Sequence, residues 1–558
     1  MFNNLRRYIT STGCVVALLA FVCSSAIGRI PYLQEKGAST QLIVAGRPYI
    51  MLGGQVHNSS SSSLEYMEPI WDKLVSLKVN TAILPLSWEL IEHKEGRYDF
   101  TLVDGLIYKA QEHNLKLVFS WFASWKNGES GYCPGWVKTD TKRFARAQNR
   151  DGKNLNTLSV FCQESCAADA RAFAKLLKHI RQIDEKENTV LMMQVENEAG
   201  LLSTSRDRSF AAEDVFDSQV PSELMSYLVE HKENLLPETR QVWAGAGFKE
   251  KGTWSEVFGN GIEADELFMA WHYARYINKI AEAGKKEYAL PMYVNAWIVQ
   301  FEGEKPGQYP SGGPVSNVLD IWRAGAPQID VFAPDIYLPD FKQICASYTR
   351  SSNPLLIPEV TADVWFEMDA ARQCESARNV FWAIAELDAI CFAPFGVEGT
   401  DVNHPIVHSY EVLAELMPLI IEYQGTGKMV GVLQEKSIEL EKGAEIKIGD
   451  YIAHISYINK DKNDRAYGLI INTGQDEYLV AGYGFGVKFE PVTQGPRYAG
   501  LLEVWEGRYE QGKWVAGRRL NGDETGQGST AKVPPNIWDK WDSSNKPRVI
   551  RVKLYRHD

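Results

Sequence analysis

Short apolar runs alternate with amphipathic stretches from about residue 40 to 420. Residues 49–54 (YIMLGG), 81–88 (TAILPLSW), 115–125 (LKLVFSWFASW) and 190–195 (VLMMQV) read as buried strands bounded by turn residues. Residues 291–298 (PMYVNAWI), 329–337 (IDVFAPDIY), 355–360 (LLIPEV) and 389–395 (AICFAPF) read the same way and bring the number to eight. Helical spacing fills the gaps. In 64–77, Met67, Ile70, Trp71, Leu74 and Leu77 share one face, and 167–183 and 267–283 follow the same rule. Strands separated by helices form parallel sheets, because parallel neighbours need a long crossover. Eight such units predict an α/β TIM barrel with long loops. The least regular stretch, 201–261, is expected to insert between the fourth strand and its helix.

The period changes after about residue 425. Segments 451–457 (YIAHISY), 467–471 (YGLII) and 548–555 (RVIRVKLY) alternate with period two, and Gly474, Asn521-Gly522-Asp523 and Gly526-Gln527-Gly528 punctuate them. Such alternation describes strands with one buried face, so a C-terminal all-β, sandwich-like domain is expected at 425–558. The barrel domain would then occupy 29–424. Residues 1–28 have a different logic. Arg6 and Arg7 precede the apolar run 13–23, and Ser24-Ser25-Ala26 or Ala26-Ile27-Gly28 offers small residues for cleavage. That run is too short to span a bilayer, so an export signal is expected, with a periplasmic or extracellular mature chain and no span after cleavage. Phe21-Val22 before Cys23 disfavours a lipoprotein reading.

Composition changes the picture in three places. The net charge is −12 and no basic block occurs, which argues against nucleic acid as a partner. The chain carries 16 Trp, 25 Tyr and 22 Phe, suited either to a large core or to stacking on the C–H faces of sugars. Beyond the leader, Cys133, Cys162, Cys166, Cys345, Cys374 and Cys391 allow either pairing or free buried thiols.

Barrel enzymes work at the C-terminal ends of their strands. The fourth strand runs into Glu196-Asn197-Glu198, and the seventh into Pro358-Glu359-Val360. Two carboxylates on opposite walls of a barrel mouth suit glycoside hydrolysis, in which one protonates the leaving oxygen and the other attacks the sugar. Glu198 and Glu359 are the candidate catalytic pair. Glu196, one position from Asn197 along the strand, is expected to point the other way and serve the barrel wall. Tyr337 ends the sixth strand, where its phenol either hydrogen-bonds Glu359 or packs beneath a loop. Trp297, Trp125 and Trp88 lie at strand ends as sugar-stacking platforms or as core indoles.

These segments resemble glycoside hydrolase family 35. MMQVENEAG is similar to the QIENEYG signature of its β-galactosidases, SWELIEHKEGRYDF (87–100) to FWNLHEPEPGQYDF, and Gly54-Gln55-Val56-His57 to the SGxxHY start of the family's barrel. The resemblance covers about residues 40–400. It implies a retaining β-galactosidase with Glu198 as acid/base, Glu359 as nucleophile and Asn197 on the hydroxyl beside the anomeric carbon. It also implies that the C-terminal part is the small β domain of unknown function found on some bacterial members. Departures bear on the sugar. Ala199 replaces a tyrosine, Asn58 replaces another, Glu89 replaces an asparagine, and SWFASWKNG (120–128) departs from RPGPYICAEW, placing Trp125 and Lys126 where galactose-recognising groups are expected. Family 42 is the nearest competing resemblance.

Other motifs fail. His404 and His408 lack an HExxH frame, Gly425-Thr426-Gly427-Lys428 ends in Met429 where a phosphate loop needs a hydroxyl, and no GxSxG elbow occurs. The expected protein is an exo-acting retaining β-glycosidase for terminal β-galactosyl residues that needs no metal or organic cofactor. Its partner is a carbohydrate substrate, and its oligomeric state is open. Another sugar (glucosyl, glucuronosyl or α-L-arabinosyl) and a carbohydrate-binding barrel without turnover are the alternatives.

Overall fold

A computed structural model describes residues 30–361, 375–435, 442–458, 465–534 and 546–558. The expected export signal at 1–28 and Cys374 lie outside the described residues.

Eight parallel strands close into a barrel. They are β1 (Met51–Gln55), β2 (Thr81–Ser87), β3 (Lys116–Lys126), β4 (Val190–Asn197), β5 (Met292–Trp297), β6 (Val331–Ile336), β7 (Leu356–Val360) and β8 (Cys391–Pro394). All eight fall where the apolar runs predict them. β1 starts later than expected, because Arg47–Tyr49 belongs to a small antiparallel sheet with Tyr32–Lys36 and Ser39–Val44. Leu42 and Val44 of that sheet share an apolar cluster with Met51, Ile83, Val118, Leu191, Val331 and Leu356, so it closes the barrel floor. The predicted helices form as Leu64–Ser76, Gln163–Asp184 and Ile262–Glu287. Four short helices between Phe210 and Phe258 fill the insertion after β4.

The final barrel helix, Pro405–Tyr423, runs into the Gly425–Lys428 turn. Gly425 has φ +69°, and a Cβ there would meet the Lys36 carbonyl oxygen at 1.9 Å, so the close approach of the N-terminal hairpin requires glycine. The C-terminal domain pairs a six-stranded with a four-stranded antiparallel sheet. One face of the six-stranded sheet builds the sandwich core with Ile470, Val480, Ile550 and Val552. Its other face sends Leu469, Ile471, Leu479 and Val549 into the same core as Phe381 and Trp382 of the barrel helix Glu375–Leu387. Gly431 N–H donates to Glu386 at 2.9 Å across this junction.

Among the described residues Cys133, Cys162, Cys166, Cys345 and Cys391 are free and buried. No helix among them is long and apolar enough to cross a membrane.

Candidate active site

The barrel register sets neighbouring strand ends level. Trp297 pairs with Asp335, and Asp335 with Glu359, around β5, β6 and β7. Across the mouth, β4 ends in two residues with left-handed backbone, Glu196 (φ +62°) and Glu198 (φ +47°). Each such conformation costs a non-glycine residue about 1–2 kcal/mol. Strain of this kind persists only where the surroundings fix it. At Glu196 the Gln194 amide holds the carbonyl at 3.0 Å, and at Glu198 Asn295 fixes the backbone. Its Oδ1 accepts the Glu198 N–H at 3.0 Å, while its Nδ2 donates to Asn197 Oδ1 at 3.1 Å and to Asp335 Oδ2 at 2.7 Å.

The result is a buried cluster of three carboxyl groups. One oxygen each of Glu198, Asp335 and Glu359 lies within 4.8 Å of the others. Burial first, and then the Glu359 charge, push the Glu198 carboxyl up to about 7. Burial also holds Asp335 well above the usual carboxylate range, with the Glu359 and Glu198 charges adding to it. Both oxygens of Glu359 are held, Oε1 by the Tyr337 phenol at 2.5 Å and Oε2 by Gln55 Nε2 at 3.2 Å. Of the two readings of Tyr337, the structure places the hydrogen bond. The set therefore contains two carboxyl groups biased towards holding a proton, Glu198 near neutrality and Asp335 above it, beside a Glu359 side chain fixed in orientation. Oxygen ligands at this spacing also match what a hard divalent cation needs.

Glu196 faces the barrel wall. It accepts the N–H groups of Trp125 at 2.7 Å and Ser124 at 3.3 Å. Its carboxyl is raised well above the usual range by burial and by Asp169, which itself accepts from Trp121 Nε1 at 2.8 Å and from Ser124 Oγ at 2.5 Å. Asn197 is fully buried, with Oδ1 taken by Gln194 and Asn295 and Nδ2 donating to Asn127 at 3.3 Å.

The aromatic candidates divide. Trp297 is partly exposed at the Asp335 level. Trp88 and Trp125 are core indoles and not stacking platforms, because both are fully buried. Trp88 donates to Glu92 at 2.9 Å against the Trp136 ring, and Trp125 donates to the Leu158 carbonyl against Tyr273 and Tyr276. His404 caps the Pro405–Tyr423 helix through the Ile406 N–H, and His408 lies 3.4 Å from Glu411.

The cluster also draws in Asn295, Asp335 and Gln55, each of which breaks an apolar strand with a polar side chain near its C-terminal end. That interruption is the signal that finds them, because a polar group in a buried strand needs a partner.

Residues 406–532 match the model of DUF5597, a domain of unknown function. No curated protein matches the chain. The solved structures that match include three β-galactosidases. That from Bacillus circulans sp. alkalophilus is 15% identical at a TM-score of 0.44, over 66% of this chain and 57% of that one. The cold-adapted enzyme from Rahnella sp. R3 is 14% identical at 0.45, over 69% and 58%. The enzyme from the haloarchaeon Halorubrum lacusprofundi is 13% identical at 0.42, over 65% and 58%. The chain thus spans less than two thirds of the length of each.

Proposed function

We propose that the chain is a retaining exo-β-glycosidase that removes terminal β-galactosyl residues from oligo- or polysaccharides. The observation that carries the reading is the approach of Glu198 and Glu359 to within 4.8 Å, oxygen to oxygen, in a buried barrel mouth. Carboxyl groups about 5–5.5 Å apart serve retention, whereas inversion leaves about 6.5–9.5 Å for a water. In the first step Glu359 attacks the anomeric carbon, the glycosidic C–O bond breaks, and Glu198 delivers its proton to the leaving oxygen. In the second step Glu198, now ionised, takes a proton from water, whose oxygen displaces Glu359 with net retention. The raised carboxyl of Glu198 suits both halves of this cycle. Tyr337 and Gln55 hold the Glu359 carboxylate in line for attack. Asn197 Nδ2 gives one of its two N–H groups to Asn127, which leaves the second for the hydroxyl beside the anomeric carbon, and Trp297 offers the stacking face. The galactosyl preference rests on the motif resemblance at the strand ends.

Leaving-group dependence tests the roles. Glu198→Gln should lose most activity on poor leaving groups, retain the first step on activated aryl glycosides, and yield a β-glycosyl azide with added azide. Glu359→Gln should be dead on every leaving group. Equal loss in Glu198→Gln on good and poor leaving groups, with no azide product, removes the acid/base assignment. A panel of aryl β-D-galactoside, glucoside, glucuronide, fucoside and α-L-arabinoside identifies the sugar, and turnover of none identifies a binding barrel.

A further inference from the structure

The strand Arg548–His557 has two faces with different fates. Ile550, Val552 and Leu554 point into the sandwich core, so Val549, Arg551, Lys553, Tyr555 and His557 point the opposite way. Val549 at one end packs into the barrel core. From Arg551 onward the face is open.

The neighbouring strand, Tyr498–Glu510, continues that open face. Tyr498 pairs with His557, Gly500 with Tyr555, Glu503 with Lys553 and Trp505 with Arg551. Tyr498 and Trp505 are an odd number of residues apart and would ordinarily face opposite sides. The irregularity between Leu501 and Glu503 restores them to one side. The third strand, Lys513–Leu520, adds Arg519 beside Trp505, its guanidinium 5.9 Å from the ring centroid.

Three aromatic side chains thus follow one another along one face. From the Trp505 row to the Tyr498 row is six residues of the central strand (Arg551 to His557), roughly 20 Å at 3.2–3.4 Å per residue. Tyr555 covers Gly500, where a Cβ would sit 2.5 Å from its ring, and the His557 ring bridges the row, 5.5 Å from Tyr555 and 5.7 Å from Tyr498 between centroids. Tyr498 is 61% exposed and Tyr555 44%. A cleft of about 260 Å³ opens beside Trp505, walled by Trp514, Glu477, Glu503, Arg551 and Lys553. Its charges oppose one another, Glu477 holding Arg551 at 2.9 Å and Lys553 at 3.5 Å.

We infer that this face of the C-terminal domain binds an extended neutral polysaccharide, with Trp505, Tyr555 and Tyr498 as successive stacking platforms. Aromatic planes take up the apolar C–H faces of sugar rings. The cleft presents donors and acceptors side by side, as a chain of hydroxyls requires. A polyanion would have to displace Glu477 from its two cations and face Glu503. The site is separate from the catalytic carboxylates and does not depend on their assignment.

Affinity gel electrophoresis of the full chain tests this, with the parent and Glu359→Gln run side by side so that any cleavage of a probe shows as a difference between them. The gels contain soluble β-galactan, mixed-linkage β-glucan, arabinoxylan or polygalacturonate. Retardation is expected in at least one neutral polymer, with at least a tenfold loss in Trp505→Ala and in Tyr555→Ala. Because Tyr555 covers a glycine, Tyr498→Ala, exposed and outside any core, provides a second arm, with a melting curve for each variant. Retardation in no neutral polymer, retardation unchanged in all three variants, or retardation by polygalacturonate alone overturns the inference. So does a dimer in sedimentation that Trp505→Ala dissociates, because the face would then be covered by a second copy.

Discussion

The phenol of Tyr337 donates to Glu359 Oε1 at 2.5 Å, from the residue that follows β6 to the penultimate residue of β7. Gln55 holds the other oxygen from β1, which lies beyond β8 on the far side of β7, so the carboxylate is gripped from both sides. A hydrogen bond to a charged group contributes about 1.5–3 kcal/mol. Tyr337→Phe should therefore lower kcat by about tenfold to a hundredfold. The melting temperature should stay close to that of the parent, because the ring is kept. Steady-state kinetics beside a melting curve checks both. An unchanged kcat would remove Tyr337 from the site.

As the proposed acid/base, Glu198 should set the pH dependence. Its carboxyl must be protonated to give up its proton in the first step, and it loses that proton as pH rises through about 7. The sign is then fixed: kcat/KM for a substrate with a poor leaving group falls on the alkaline side of neutrality. The Glu359 charge is the second cause of the raised value, so Glu359→Gln should move Glu198 titration downward. Carbon-13 NMR of labelled glutamate carboxyls reads that shift directly.

Glu196 should behave as structure. Glu196→Ala leaves the buried N–H groups of Trp125 and Ser124 without an acceptor, at about 1–3 kcal/mol for each stranded group. Glu196→Gln keeps an acceptor for those N–H groups and, like the protonated acid, offers Asp169 a donor, so its stability should stay near the parent. Denaturant titration separates the two variants. Azide rescue of a Glu196 variant would move the acid/base role to it.

The Glu198, Asp335 and Glu359 cluster has the spacing of a cation site, yet proton sharing explains how three buried carboxyls coexist. Dialysis against EDTA should leave aryl-glycoside turnover unchanged. Turnover lost to EDTA and restored by a divalent cation would show that a metal belongs to the site.

Removing residues after Thr426 should yield insoluble barrel. The cut would uncover Phe381 and Trp382, which share a core with Leu469, Ile471 and Leu479 of the β domain. The soluble fraction of the truncated chain measures this, and a soluble, active fragment would make the β domain detachable.

The amino-acid sequence by itself determined the barrel strands, their order and the β texture of the C-terminal domain. Period two, period 3.6 and the length of apolar runs are local properties, and buried parallel strands leave them plainly written. It also placed Glu198 and Glu359 at strand ends, because a strand end is a position along the chain. Tertiary structure alone decided the rest. Whether Trp88 and Trp125 are platforms or core depends on what covers them, and Trp136, Tyr273 and Tyr276 come from distant segments. Asn295 looks like a polar accident in PMYVNAWI until barrel closure brings Glu198, Asn197 and Asp335 around it. The left-handed turns at Glu196 and Glu198 break the strand alternation, which no periodicity encodes. A proton affinity is likewise a property of surroundings: Glu198 is an ordinary glutamate along the chain and an acid near neutrality only when buried beside Glu359.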